Sequence, residues 1–227
     1  MAVRLLVCAA TLAELSAYLR DGEPPPMNEG AHCLASGSVA VAVTGVGIPC
    51  TLLRLPPLLA ELRPESVLNI GIAGAYPNSG LEIGAVAMAR SEILGDIGFE
   101  LPREPGFQFV GEAPFGGFYR EMPMSLAPEF LADPDGNPCR QTNACTVNAC
   151  TGTLRTGLMR ERLFAVGMES MEGAAVALAC EAVGIPACEV RAISNIAGDR
   201  DMRPENIGIA LRSLRAHLQA CRRREEI

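Results

Sequence analysis

The sequence predicts an α/β fold, a three-layer α/β/α sandwich around a mixed, twisted sheet. Apolar runs of strand length alternate along the chain with segments that have the length and the capping signals of helices, which is typical of α/β domains. The 227 residues are 49% apolar and 20% charged, and this length and composition suit one domain with a full hydrophobic core. We therefore expect a single domain over residues 1–227.

Six apolar runs bounded by turn-forming residues are the predicted strands. In chain order they are RLLVCAA at 4–10, the two strands of a hairpin within HCLASGSVAVAVTGVG, SVLNIGIAGA, IGAVAMARSEIL and PACEVRAISN. Helices are expected over 11–20, 49–61, 155–163 and 171–183, and from Pro204 onward. The first helix has the spacing of a capping box, with Thr11 followed three residues later by Glu14.

One segment departs from this alternation of strands and helices. Seven of the seventeen prolines fall between Pro102 and Pro138, together with five glycines. Because the interior of a sheet excludes proline, this stretch is expected to be a long functional loop or a peripheral excursion.

The charged and titratable residues exclude several classes of function. The net charge is −7 and no basic cluster precedes the final CRRREEI, so nucleic acid is not an expected partner. The chain has no lysine, which excludes a P-loop lysine, a Schiff-base lysine and a lysine general base. His32 and His217 are the two histidines, so a Ser-His-Asp or Cys-His site is weakly supplied.

Cysteines, glycines and hydropathy limit the cofactors, the metals and the cellular location. The nine cysteines contain no CxxC pair and several lie in apolar runs, so we expect free core thiols in a reducing cytoplasm and no metal site. The glycines of TGVGIP do not match GxGxxG, and no cofactor is expected. No apolar stretch approaches the length of a membrane span, so no membrane partner is expected.

Three polar residues stand at comparable ends of predicted elements: Glu14 after the first strand, Glu172 in ESMEGAA at a helix start, and Asn195 at the end of PACEVRAISN. Each has a structural alternative, respectively a capping box with Thr11, a favourable charge at a helix N-terminus, and turn formation. The small residues of IGIAGA let a ligand approach the backbone at the carboxyl edge of a sheet. Together these features indicate a ligand site.

The motifs resemble those of the nucleoside phosphorylase and nucleosidase superfamily. The resemblance is carried by MEGAAVALACEAVGIP followed by VRAISNIAGD, with TGVGIP, NIGIAGA and the early ATLAEL, and it fades in the proline-rich stretch. Within that superfamily, ESMEGAA combined with RAISN is most similar to the futalosine hydrolases, enzymes of the alternative menaquinone pathway.

The resemblance implies roles at the sugar and at the attacking water. Met171 and Glu172 match a Met-Glu pair that packs under the ribose and binds its 2′ and 3′ hydroxyls, and Glu14 matches the carboxylate that activates water. Breaking an N-glycosidic bond develops positive charge on the sugar, which an ionised Glu172 stabilises. Glu14 accepts a proton from the attacking water.

The resemblance also implies how the base is bound. Ala73 and Gly74 match backbone that lines the base and water site, and Asn195 matches the residue facing N7 and the 6-substituent. Methylthioadenosine nucleosidases carry Asp at the position of Asn195. An amide both donates and accepts, which suits the 6-oxo, N7–H pattern of hypoxanthine and favours an inosine-type nucleoside. Water is a candidate donor of the N7 proton.

Two further positions favour hydrolysis over phosphorolysis. Phosphorylases of the hexameric bacterial type carry Arg at the position matching Asn69 and Ser at the position matching Ile72, where they hold phosphate. A neutral amide and an aliphatic side chain stand here instead. Phosphate would lose its bidentate charge partner, so water is the better nucleophile.

The sequence therefore predicts an enzyme, a cofactor-free N-glycosidase that hydrolyses futalosine to hypoxanthine and dehypoxanthine futalosine. The resemblance also implies a homo-oligomer. The alternatives are a methylthioadenosine/adenosylhomocysteine nucleosidase, a purine nucleoside phosphorylase, and a non-catalytic nucleoside-binding protein. Retention of both Glu14 and Glu172 argues against the last, because a pure binder needs no water-activating carboxylate.

Two features have no single interpretation from the sequence. The 5′ carboxylate of futalosine calls for an arginine that the sequence does not identify, and Asp96 in LGDIGFE has no assigned role. Aromatic and arginine residues of the segment 99–123 either form a wall for the 5′ tail or anchor the loop. They are Arg103, Phe107, Phe109, Phe115, Phe118 and Arg120.

Overall fold

Strands from the whole length of the chain join in one mixed sheet. The computed structural model describes residues 3–26, 30–34, 37–111, 121–125, 130, 132, 135–136, 139–199 and 201–224. The strands are β1 (Leu5–Ala9), β2 (Ala31–Cys33), β3 (Val39–Val43), β4 (Ser66–Ala75), β5 (Val86–Leu94), β6 (Gly98–Glu100), β7 (Phe107–Phe109), β8 (Met122–Pro123), β9 (Arg140–Thr146), β10 (Met168–Ser170) and β11 (Ala187–Ile196). Within the described residues the main sheet has nine strands in the order β10-β9-β5-β11-β4-β1-β3-β2, with β8 paired to β5, while β6 and β7 form a separate hairpin.

The middle of the sheet is parallel and brings strand ends to one edge. Strands β3, β1, β4 and β11 run in the same direction, and β5 runs antiparallel to β11. The carboxyl ends of β3, β1, β4 and β11 therefore meet on the same side of the molecule, where open α/β sheets bind ligands. Strand β10 crosses this edge by pairing antiparallel with the end of β4, at Glu169 opposite Gly74.

Helices cover both faces of the sheet. They are α1 (Leu12–Leu15), α2 (Gly47–Leu62), α3 (Leu154–Phe164), α4 (Gly173–Glu181) and α5 (Pro204–Arg224). In β1, Leu6 faces an apolar core shared with α2 and α4, while Val7 faces a second core shared with α5. This alternation follows from the two-residue period of a strand. The predicted three-layer α/β/α architecture is thereby confirmed. No helix in the described part of the chain is long and apolar enough to cross a membrane.

The first helix is shorter than the sequence predicts. A helix was expected over 11–20, but α1 ends at Leu15. The backbone carbonyls of Tyr18 and Leu19 accept hydrogen bonds from the guanidinium groups of Arg222 (2.8 Å) and Arg215 (2.9 Å) on α5. These contacts tie the segment that follows α1 to the distant helix α5. The local sequence pattern contains no sign of this tertiary contact.

Candidate active site

A cavity of about 410 Å³ opens at the carboxyl edge of the sheet. The six residues predicted to act on the sugar, the water or the base all lie in its wall: Glu14, Ala73, Gly74, Met171, Glu172 and Asn195. The lining residues are Ala10, Thr11, Ala13, Glu14, Val46, Ile72, Ala73, Gly74, Cys150, Thr151, Glu169, Ser170, Met171, Glu172, Ser194, Asn195, Met202, Ile207 and Leu211.

Glu14 both caps α1 and reaches the cavity. Its Oε2 accepts hydrogen bonds from the backbone N–H (3.0 Å) and the hydroxyl (2.7 Å) of Thr11, which completes the predicted capping box. Its Oε1 accepts a hydrogen bond from the backbone N–H of Ile72 at the end of β4 (3.0 Å). The two interpretations of Glu14, as a cap and as a cavity carboxylate, are therefore compatible.

Glu172 occupies the N-cap position of α4, but a different helix binds its carboxylate. The side chain makes no capping bond to α4, and its Oε1 accepts a hydrogen bond from the backbone N–H of Gly47, the first residue of α2 (2.9 Å). Its Oε2 lies 3.5 Å from the guanidinium Nη2 of Arg191. Burial raises the pKa of Glu172, while Arg191 and the Gly47 N–H oppose that rise. The helix dipole that favours the ionised form is thus that of α2.

Arg191 is a buried cation that the sequence analysis did not single out. It lies on β11 below the cavity and is 1% exposed. Its Nε donates to Glu189 Oε1 (2.6 Å) and its Nη1 donates to the carbonyl of Ile72 (3.5 Å). Burial alone would lower its pKa, but Glu189, Glu172 and Glu14 hold the pKa above its ordinary value. A charged residue inside the apolar run PACEVRAISN was the signal that could have identified it.

Asn195 reaches the cavity through an irregularity in β11. The pairing register between β11 and β4 shifts between Ile193 and Asn195, and such a bulge redirects the side chains that follow it. Asn195 Oδ1 accepts a hydrogen bond from the hydroxyl of Ser194 (3.0 Å), and that hydroxyl also reaches the carbonyl of Ala73 (3.2 Å). A Cβ atom at Gly74 would lie 3.2 Å from Asn195 Nδ2, so glycine leaves this corner of the cavity open.

A third carboxylate of the cavity wall, Glu169 on β10, lies beside that corner, where Glu169 pairs with Gly74. It accepts hydrogen bonds from the N–H (2.8 Å) and the hydroxyl (2.5 Å) of Thr151 and from the hydroxyl of Tyr76 (3.0 Å). Arg160 donates to the same Thr151 hydroxyl (2.8 Å). Strand β10 has three residues, which is too short for a periodic pattern, so no local signal in the sequence identifies Glu169.

Asp96 has a structural role. Its carboxylate accepts hydrogen bonds from the backbone N–H groups of Asn148 (2.5 Å) and Ala149 (3.2 Å). These residues begin the loop between β9 and α3, and that loop carries Cys150 and Thr151 into the cavity wall. Asp96 and Glu169 thus hold the loop from its two ends.

Only one of the two positions used to distinguish hydrolysis from phosphorolysis lies in the cavity wall. Ile72 lines the cavity. Asn69 is buried below it, and its amide donates to Glu189 Oε1 (3.2 Å). Asn69 is therefore not a cavity residue, and the prediction that it bears directly on phosphate binding must be corrected.

The segment that was expected to form either a wall or an anchor is partly described. Phe109 packs edge-on against Phe164 of α3, with ring centroids 5.2 Å apart, and so anchors the β6–β7 hairpin. Phe107 and Arg103 do not line the cavity. Phe115, Phe118 and Arg120 lie outside the described residues. Among the residues described, no arginine lines the cavity.

Both the sequence and the fold are similar to those of known enzymes. The family model of the phosphorylase superfamily matches residues 12–223. A futalosine hydrolase of Thermus thermophilus is 30% identical over 192 residues, which are 82% of this chain and 82% of that protein. Native futalosine hydrolase of Helicobacter pylori strain 26695 has a TM-score of 0.80 at 17% identity, covering 99% of this chain and 98% of that chain.

A second solved structure has almost the same TM-score. The 5′-methylthioadenosine/S-adenosylhomocysteine nucleosidase from Helicobacter pylori has a TM-score of 0.79 at 17% identity and covers 100% of this chain and 99% of that chain. At this level of identity the two structures show the fold alone. The family model, however, spans nearly the whole chain, and the Thermus relative covers most of it. The protein therefore belongs to the phosphorylase superfamily and is a hydrolase that acts on N-glycosidic bonds.

Proposed function

We propose that this protein hydrolyses the N-glycosidic bond of futalosine and releases hypoxanthine and dehypoxanthine futalosine, a step of menaquinone biosynthesis. One observation carries the proposal. Glu14 and Glu172 face the same cavity, and a backbone N–H from a different element binds each carboxylate, Ile72 of β4 and Gly47 of α2. The 30% identical relative from Thermus thermophilus is a futalosine hydrolase, which supports the choice of substrate.

The two carboxylates divide the chemistry between sugar and water. In the proposed reaction Glu172, with Met171 beside it, binds the ribose hydroxyls and stabilises the positive charge that develops as the glycosidic bond breaks. Glu14 accepts a proton from the attacking water, an effect of about 10² to 10⁴ in rate for a well-placed general base. Both side chains are more than nine-tenths buried, so their charges act in a medium that screens them weakly.

The corner formed by Ala73, Gly74 and Asn195 is the proposed base site. The amide of Asn195 both donates and accepts, so it matches the adjacent O6 and N7–H of hypoxanthine. Ser194 binds the amide oxygen and orients it. In the methylthioadenosine nucleosidases, an acid stands at the position of Asn195. Asn195→Asp is therefore expected to shift the preference for kcat/KM toward 6-aminopurine nucleosides, and an unchanged preference would mean that backbone groups select the base.

Phosphorolysis is the less favoured alternative. A phosphate nucleophile needs cationic partners. Within the described residues the cavity wall contains no Arg, Lys or His, and Arg191 below it is already bound to Glu189. A non-catalytic nucleoside-binding protein is disfavoured because it has no use for the water-activating carboxylate Glu14.

Release of hypoxanthine from futalosine in phosphate-free buffer tests the proposal, with inosine and methylthioadenosine assayed in parallel. Rapid release from futalosine alone is expected. Release that depends on added phosphate would make the enzyme a phosphorylase. Release of adenine from methylthioadenosine as the main activity would overturn the assignment of Asn195. Binding of all three nucleosides without any cleavage would favour the non-catalytic alternative.

We further propose that the chain forms one domain, acts in the cytoplasm and assembles as a homo-oligomer. Val46, the N-cap residue of α2, and Leu53 in its second turn are 53% and 72% exposed, and Val46 lines the cavity. A second copy that covered this apolar surface would close the cavity on that side. Light scattering coupled to gel filtration is expected to give a mass of at least two chains, and a monomer at assay concentrations would contradict the proposal.

A further inference from the structure

Two carboxyl groups that the proposed mechanism does not use lie below the cavity. Glu92 on β5 and Glu189 on β11 are both 0% exposed, and neither lines the cavity. Glu189 is bound to Arg191, and Arg191 in turn lies 3.5 Å from the cavity carboxylate Glu172. Arg191 therefore links Glu189 to the proposed sugar-binding carboxylate Glu172.

Each member of this pair has one satisfied and one unsatisfied oxygen. Glu92 Oε2 accepts a hydrogen bond from the hydroxyl of Thr146 (2.8 Å), and Glu189 Oε1 accepts from both Arg191 and Asn69. Glu92 Oε1 and Glu189 Oε2 are buried and have no donor among the described residues.

The two unsatisfied oxygens both lie close to the backbone of Gly173. A Cβ atom at Gly173 would overlap Glu92 Oε1 and would lie 2.6 Å from Glu189 Oε2. Two ionised carboxylates this close in a dry interior repel each other strongly, and both would lack a donor. One proton between them removes the repulsion and gives both oxygens a partner.

The groups that face the pair decide which carboxyl carries the proton. Glu189 Oε1 is bound to the Arg191 guanidinium. Glu92 faces the hydroxyl of Thr146 on β9 and, among the described residues, no cation within hydrogen-bonding distance. Burial and then the charge of Glu189 raise the pKa of Glu92 well above its ordinary value. Glu92 is thus the acid that donates, and Glu189 is the carboxylate that accepts.

We propose that Glu189 is a positioning residue of the reaction, that a proton on Glu92 holds it in place, and that this pair aims the Arg191 guanidinium at Glu172. The inference rests on the proposed function, in which Glu172 binds the sugar. It also explains Gly173 in ESMEGAA: any larger residue would fill the space in which the two carboxyl groups meet.

Matched amide substitutions of the two acids give a direct test. Glu92→Gln keeps a donor on the side facing Glu189, so kcat on futalosine is expected to stay close to that of the unaltered protein. Glu189→Gln removes the charge that holds Arg191, and kcat is expected to fall about ten- to a hundredfold with little change in KM. Equal losses in the two variants, or a Glu189→Gln variant that loses thermal stability but keeps kcat, would overturn the proposal.

Infrared spectroscopy tests the shared proton without any turnover. At neutral pH the unaltered protein is expected to show a carbonyl band of a protonated carboxyl group that Glu92→Gln removes. The absence of a difference band would overturn the assignment, even if Glu189→Gln did not fold. Failure of the unaltered protein to cleave futalosine would instead count against the proposed function. The infrared result would still decide whether Glu92 carries a proton.

Discussion

Different elements of the fold bind the carboxylates of Glu14 and Glu172. Glu14 accepts three hydrogen bonds, two from Thr11 and one from Ile72. Glu172 accepts one, from Gly47, and its nearest cation is 3.5 Å away. Donors that bind the ionised form stabilise it, whereas burial opposes it. Burial is the largest influence on Glu172 and raises its pKa.

Substitution of Glu14 separates catalysis from binding. Glu14→Gln keeps the shape of the side chain but cannot take a proton from water, so kcat is expected to fall by about 10² to 10⁴. The dissociation constant of a non-hydrolysed futalosine analogue is expected to change little. Glu205→Gln, the same exchange in the exposed first turn of α5, is the control. Unchanged turnover would leave Glu14 with its capping role alone.

The pH dependence of the reaction is expected to report Glu172. Its pKa lies above the ordinary 4.5, so the ionised form is lost as pH falls through that raised value. The acid limb of kcat/KM is therefore expected above pH 4.5. Because Arg191 opposes the rise, Arg191→Met is expected to move the limb to still higher pH. A limb that does not move would show that Arg191 has no electrostatic influence on the reacting carboxylate.

At the scale of the elements, the close pairing of β4 with β11 builds the site floor. Gly71 on β4 lies beside both Arg191 and Glu14, because a Cβ atom there would overlap Arg191 Nη1 and would lie 2.6 Å from Glu14 Oε1. The absence of a side chain thus lets a cation and a carboxylate approach each other below the cavity. The loop held by Asp96 and Glu169 forms the opposite wall.

Gly71→Ala is expected to disrupt the floor. Overpacking of a buried position costs about 1–3 kcal/mol, so the melting temperature falls, and displacement of Glu14 and Arg191 lowers kcat as well. Gly30→Ala is the matched control, since a Cβ atom there has nothing within 4 Å. A Gly71→Ala protein with unaltered kcat and stability would show that the floor can relax at no cost.

At the scale of the whole molecule, Glu92, Glu189 and Arg191 form a charged layer between the sheet and α4, on the face that also carries the α2/α4 core. Of the eleven strands in the described residues, the sequence predicted six, namely β1–β5 and β11, and it placed a helix at each of α1–α5. It also predicted the candidate residues Glu14, Glu172 and Asn195, because all three have local signals at element ends. It did not predict Arg191 and Glu189, which lie inside a strand and take their partners from distant strands. Pairing across a sheet is not local, so a periodic pattern cannot reveal it.

The charged layer is expected to make stability depend on pH. Because the pKa of Glu92 is raised, the folded protein binds this proton more tightly than the unfolded chain. Its contribution is fully present below pH 4.5 and is lost as pH rises through the folded pKa. The melting temperature is thus expected to fall as pH rises above 4.5, and to fall less in Glu92→Gln. Parallel declines in the two proteins would contradict this account.

The cavity wall also contains a thiol. Cys150 is exposed and lines the cavity, whereas the other exposed cysteine, Cys33, lies on the edge strand β2. Six of the nine cysteines are buried and Cys50 is half-buried. A bound nucleoside is expected to shield Cys150 from a thiol-reactive dye and to leave Cys33 accessible. The protein thus has its own reporter of occupancy, which can be followed in the same variants that have lost turnover.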